Sequence, residues 1–198
     1  MDASAAARAI CSAGRRMWLR RLCAGHDGNL SVRLADGLVL CTPTGVSKGR
    51  MRPDMLQAVA PDGRVTSSES SRGVTSELKV HLAIYRERPD VRAVVHGHPP
   101  HATTFAINDV APPTGLYPTA DAVLGRVALV PYAAAGTFAL AENVVRCLGS
   151  ETTTLLLARH GAVTLSVLDV EDAYLRLEVL ESLWGVTKLL PLSGRSQG

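Results

Sequence analysis

Ala93-Val94-Val95-His96-Gly97-His98 runs from three small apolar residues straight into two histidines. A short apolar run bounded by turn residues reads as a buried strand. On extended backbone, residues i and i+2 point to the same face, so this strand delivers two imidazoles to one side of a sheet. Glu77 precedes it, and a third histidine, His160, ends a second apolar, β-branched run at 153–158. Two strand ends meeting at one sheet edge would gather three imidazoles. Three histidines with an open fourth position is an arrangement that catalytic zinc uses. A lone histidine on such a strand is ordinarily a packed structural residue. The matched parity of His96 and His98, followed by Gly97 and Pro99, sets the ligand and structural readings level for that pair; spacing alone does not bring His160 to them.

Working outward, helical periodicity covers 3–23, with Ala5, Ala9, Ile10, Met17, Leu19 and Leu22 as its apolar face and Gly25 as a stop. Gly28-Asn29 opens a hairpin that turns at Asp36-Gly37 and returns through Leu38 to Cys41. A second hairpin turns at Pro61-Asp62-Gly63, and 67–73 is a polar loop. A helix over about 76–88 is closed by Pro89. Beyond the 93–95 strand come a helix to Ile107 behind Pro99-Pro100, an irregular stretch at 108–127, a strand at 128–131 and a helix over 139–148. After the 153–158 strand, a last helix over about 169–190 is capped by Asp169, with Leu175, Val179, Leu183 and Val186 at helical spacing. No repeat or linker divides the chain, so one domain over 1–198 is expected. The early hairpins exclude a purely parallel, doubly wound sheet. The predicted class is α/β, a mainly antiparallel sheet with helices on both faces.

Composition narrows the function. Hydrophobic residues make up 46% of the 198 and charged residues 20%, which is a globular balance. Aromatics are only 4% and the net charge is +3 with no basic stripe, which disfavours nucleic-acid binding. The four cysteines form no CxxC pair and read as reduced thiols. No run approaches the ~18 apolar residues of a membrane span, and no signal peptide is seen. A cytoplasmic protein is expected.

Glu77 opens a helix behind Thr75-Ser76. A first-turn carboxylate is commonly there for the helix dipole; the functional alternative is a metal ligand or base. His81, one turn on, reads as an ordinary packed or exposed helix residue. Three segments could cradle a phosphate: Gly28-Asn29 and Thr44-Gly45 in turns, and Thr75-Ser76 at a helix N-terminus. Lys48 and Arg50 add charge near the second. Each is also explained by turn chemistry.

Taken in order, GNLSVR (28–33), CTPTGVSKGR (41–50), TSELKVHLAIYRERPDVRAVVHGHPPHAT (75–103), PYAAAGT (131–137) and RHGAV (159–163) resemble the class II aldolase/adducin family over most of the chain. The resemblance implies a three-layer α/β/α sandwich and a homotetramer with active sites at subunit interfaces. It implies that His96, His98 and His160 bind one zinc per subunit, with Glu77 as a resting-state ligand and the acid/base residue. Gly28, Asn29, Thr44, Gly45, Thr75 and Ser76 would hold a substrate phosphate. Tyr117 stands where the family's aldolases place a tyrosine that reaches a neighbouring subunit's site. The implied reaction is retro-aldol cleavage of a short ketose 1-phosphate, L-fuculose-phosphate-like, to dihydroxyacetone phosphate and an aldehyde. The family also contains epimerases, decarboxylases and dehydratases of related substrates, and the non-catalytic adducin head. This chain departs from the family pattern at Arg72-Gly73-Val74, at Arg159 and at Ala133-Ala134-Ala135.

Overall fold

The computed structural model describes residues 2–66, 72–110 and 117–188. Seven strands form one sheet: β1 (Asn29–Arg33), β2 (Val39–Cys41), β3 (Gln57–Val59), β4 (Ala93–Gly97), β5 (Val127–Val130), β6 (Thr154–Leu157) and β7 (Gly161–Ser166), in the order β3-β2-β1-β4-β7-β6-β5. β5 pairs with β6 in parallel; the other five pairings are antiparallel. β4 lies in the middle and every one of its residues is buried. Ala93 and Val95 enter one apolar cluster and Val94 the other, so alternation feeds a core on each face. The helices are α1 (Ala3–Leu19), α2 (Leu78–Glu87), α3 (Pro100–Ile107), α4 (Pro118–Leu124), α5 (Phe138–Cys147) and α6 (Val170–Lys188). Residues of α1, α3, α4 and α6 join the first cluster, and those of α2 and α5 the second. None of the helices is long and apolar enough to cross a membrane, among the described residues.

The sequence reading differs from this structure in several places. It stopped the 153–158 run at His160-Gly161 and assigned nothing to 161–168. There the chain reverses over Ala158-Arg159-His160 and returns as β7, which bridges β6 to β4. Arg159 takes the left-handed conformation at φ 57°, a turn without the Asn-Gly or Asp-Gly signature of a hairpin. Within the stretch read as irregular, 108–127, α4 forms behind Pro118 at its first position and ends at Gly125; residues 111–116 lie outside the described residues. α1 ends at Leu19, not at residue 23, and Leu22 and Cys23 are buried in the turn that follows. The Pro61-Asp62-Gly63 turn is present, but its return leg is reduced to a single bridge, Val59 to Val65. Most of the polar loop at 67–73, and Leu189-Leu190 of the last helix, fall outside the described residues.

The buried face of α6 matches the predicted one only at Leu183, which is 2% exposed, and Val179, which packs against the core. Leu175 and Val186 are 43% and 47% exposed, whereas Val170, Ala173, Tyr174, Leu177, Leu180 and Trp184 are at most 2% exposed. α6 packs against β7, β4, β1, α3, α4 and α1 together, so apolar residues occur around most of its circumference and a single stripe misleads. Leu177→Ala is expected to cost ~2–5 kcal/mol of unfolding free energy, as a cavity-forming core truncation does. Leu175→Ala should stay within ~0.5 kcal/mol. Urea unfolding of both variants separates the two faces.

Candidate metal centre and active site

The register brings the site together at one sheet end. Asn29 at the start of β1 sits opposite His96 near the end of β4. Across β4 from β1, Gly97 faces Ala162 and His96 faces Val163 in β7, so the turn that precedes β7 sets His160 beside the two strand histidines. Close backbone approach is required here. A Cβ at Gly161 would lie 2.5 Å from the Gly97 carbonyl oxygen and 2.5 Å from His98 Cδ2. Gly28, at φ 73°, would put a Cβ 2.9 Å from the His96 carbonyl.

The three imidazoles form a triangle. Ring centroids are 4.9 Å apart for His96–His98, 4.8 Å for His96–His160 and 5.2 Å for His98–His160. Their ligand atoms lie within 4.8 Å of one another. His96 Nε2 is 3.1 Å from His98 Nε2, while His96 Nδ1 is 2.9 Å from the Ala162 carbonyl, to which it donates, leaving Nε2 as a lone-pair donor. Glu77 caps α2, with Oε2 3.3 Å from His96 Nε2 and Oε1 3.5 Å from His160 Nε2. The Glu77 side chain is 5% exposed, and neither oxygen has a hydrogen-bond partner among the described residues.

Burial sets the electrostatics. It pushes the Glu77 carboxyl up from 4.5 to about 7, against a smaller opposing effect of the Gly136 backbone. That is a penalty of roughly 3 kcal/mol on the carboxylate. Burial, then the neighbouring imidazoles, hold His96 well below the ordinary histidine value. His160 falls to about 4, from burial and then His98. Neutral imidazoles converging on a desolvated carboxylate with two orphaned oxygens are the donor set of a divalent cation, and imidazole suits zinc among other transition metals. The residues fit such an ion.

The cradle segments meet at the same end. Thr44 N donates to the Gly73 carbonyl at 2.9 Å, Thr75 N to the Thr42 carbonyl at 3.2 Å, and Pro43 bridges Val74. Those two backbone donors are therefore committed. Thr44, Gly45 and Ser76 are exposed, Gly45 at positive φ. Asn29 is buried, and its Oδ1 is 2.5 Å from His81 Nε2. His81 Nδ1 is 2.7 Å from Ser31 Oγ, which is 2.8 Å from the Tyr85 hydroxyl. Burial lowers His81 to about 3, so it is neutral. One direction then satisfies the chain: Tyr85 O–H to Ser31, Ser31 O–H to His81 Nδ1, and His81 Nε2–H to Asn29 Oδ1. The Asn29 side-chain oxygen is thereby engaged and its NH₂ is left as the donor. His81, read from sequence as an unremarkable helix residue, orients a predicted site residue. Gly136 of the 131–137 loop packs on Ser76, and a Cβ there would lie 3.1 Å from the Ser76 carbonyl. Lys79 Nζ donates to the Gly136 carbonyl at 2.9 Å.

Tyr117 is not part of this cluster in the single chain. It caps α4 and is 41% exposed, and α4 packs on α6. Asp27 was missed: its Oδ2 lies 3.4 Å from His98 Nδ1, and only the β1–β4 register could have exposed that relation.

Residues 8–187 match the model of the Class II Aldolase and Adducin N-terminal domain. The chain is 35% identical over 170 residues to an L-fuculose phosphate aldolase of Methanococcus maripaludis, covering 85% of this chain and 88% of that one. Among solved structures it resembles YgbL of Escherichia coli, whose description leaves aldolase, epimerase and decarboxylase open, at TM-score 0.88 and 28% identity, covering 97% of this chain and 92% of that one. It resembles an L-fuculose 1-phosphate aldolase at TM-score 0.84 and 27% identity, covering 96% and 87%. With three imidazoles and a carboxylate assembled on this sheet, the chain belongs to the class II aldolase and adducin family, as an enzyme of the aldolase, or lyase, kind.

Proposed function

We propose that the protein cleaves a short ketose 1-phosphate, L-fuculose-phosphate-like, into dihydroxyacetone phosphate and an aldehyde, with one zinc ion per subunit held by His96, His98, His160 and, at rest, Glu77. The observation that carries this reading is the buried Glu77 carboxylate, unpartnered and 3.3–3.5 Å from two imidazole nitrogens. Cleaving the carbon–carbon bond of a β-hydroxy ketone leaves an enediolate. The bound cation would supply Lewis-acid stabilisation of that charge. Glu77, buried beside His96 and His160, is placed to hold or release the proton at the carbon that becomes the enediolate. Asn29 presents its NH₂ group, and Gly28, Thr44, Gly45, Thr75 and Ser76 surround the substrate phosphate. Binding energy is thus gathered away from the bond that breaks, and orientation at that bond follows.

The same reading makes the molecule a cytoplasmic three-layer α/β/α homotetramer. In that assembly Tyr117, exposed at the start of α4, would serve the aldehyde oxygen in a neighbouring subunit's site. The complete donor set speaks against a non-catalytic adducin-like module.

A panel of phosphorylated ketoses and keto-acid phosphates, incubated with zinc-loaded protein, tests the reaction. Dihydroxyacetone phosphate and an aldehyde should appear together in equal amounts. Carbon dioxide without aldehyde, or a 4-epimer without cleavage, would replace the aldolase reading with another enolate reaction of the family, the breadth that YgbL's description carries.

A further inference from the structure

Asp27 lies outside every segment read as functional. It stands on the loop between α1 and β1, and its carboxylate Oδ2 is 3.4 Å from His98 Nδ1, with the aspartate side chain 54% exposed and the imidazole 27%. The loop is fastened to the strand that carries the histidine. His98 N donates to the Leu22 carbonyl at 2.9 Å, and Asp27 N to the Ala24 carbonyl at 2.8 Å. Lys48 is 1% exposed, and its Nζ donates to the His26 carbonyl at 3.0 Å and to the Val46 carbonyl at 2.9 Å. Immediately after Asp27, Gly28 turns at positive φ against the His96 carbonyl. These bonds fasten the loop on both sides of Asp27 and set its carboxylate at the back of one imidazole.

The other imidazoles show what such a contact is for. The Ala162 carbonyl accepts from His96 Nδ1 and so leaves Nε2 facing the cluster. His160 Nδ1 has no hydrogen-bond partner among the described residues. His98 Nε2 faces His96 Nε2 at 3.1 Å, so its Nδ1 must carry the proton if Nε2 is to donate a lone pair, and the Asp27 carboxylate, 3.4 Å from Nδ1, is placed to face that N–H. A carboxylate behind a ligating imidazole fixes the tautomer and ring orientation and raises ligand basicity.

We infer that Asp27 is a positioning residue for the metal centre, holding His98 with Nδ1 protonated and Nε2 directed at the ion. The inference rests on the metal-site reading above. Its test uses the full chain, stripped of metal with a chelator and titrated with Co²⁺ and Zn²⁺ against a chromophoric competitor. The expected result is one metal per wild-type chain, about tenfold weaker binding in Asp27→Ala with an altered Co²⁺ visible spectrum, and partial recovery in Asp27→Asn, whose amide oxygen still accepts from Nδ1–H. Apo melting temperature should be the same in all three. In a His98→Ala background, Asp27→Ala should weaken metal binding no further. Affinity within twofold of wild type with an unchanged Co²⁺ spectrum overturns the inference, as does a loss that persists in full without His98. A wild-type chain that binds no metal overturns the metal-site reading itself, which is a separate result.

Discussion

Glu77→Gln should reduce retro-aldol turnover by ~10²–10⁴-fold, the usual worth of a positioned acid/base group, while zinc content stays near one per chain. The amide keeps the volume of the side chain, so packing around a residue that is 4% exposed should survive. It removes the charge and the proton-transfer capacity together. Turnover is read from dihydroxyacetone phosphate formation and metal content from elemental analysis of the same sample. Loss of turnover with metal retained assigns Glu77 to proton transfer. Loss of both assigns it chiefly to the ion, and full turnover would remove it from the mechanism.

The second large effect concerns the third imidazole. His160→Ala should weaken zinc binding by more than the ~10–100-fold that loss of an outer-shell partner costs, and abolish activity at stoichiometric zinc. In the wild type, chelation should abolish turnover and zinc should restore it. His160 is the ligand to choose because its Nδ1 has no hydrogen-bond partner among the described residues and its side chain is 14% exposed. Replacing His96 would also strand the Ala162 carbonyl. Apo melting temperatures should therefore stay close while metal affinity diverges. A His160→Ala chain that binds zinc normally would leave His96, His98 and Glu77 as the whole centre.

The parts of this site that were legible in the sequence share one property: their signal is local. His96 and His98 point to one face because strand parity is a two-residue rule, and Glu77 announced itself at a helix start. His160 was proposed only as the end of another strand, and its arrival depends on β7, which the sequence reading lacked. β7 went unseen because a non-glycine residue, Arg159, makes the left-handed turn before it. Only part of the face of α6 was legible, at Val179 and Leu183, because a helix packed on six neighbours has no single polar side. His81 and Asp27 were silent for a different reason. Each acquires its role from a partner distant in sequence: His81 meets Asn29 52 positions away, and Asp27 meets His98 just past β4. No window of sequence contains either pair.

The β4–β7 register has a kinetic consequence. His96 and the carbonyl that orients it are 66 positions apart, and the pairing that joins them closes a long loop before it returns any energy. The centre is complete only when β7 has docked on β4. The unfolded chain offers the ion no preformed seat, so binding favours the finished sheet alone, by ~2.7 kcal/mol when free metal is a hundred times its dissociation constant. Metal uptake during refolding then reports on the β4–β7 pairing: chains that carry the ion are those in which it has formed.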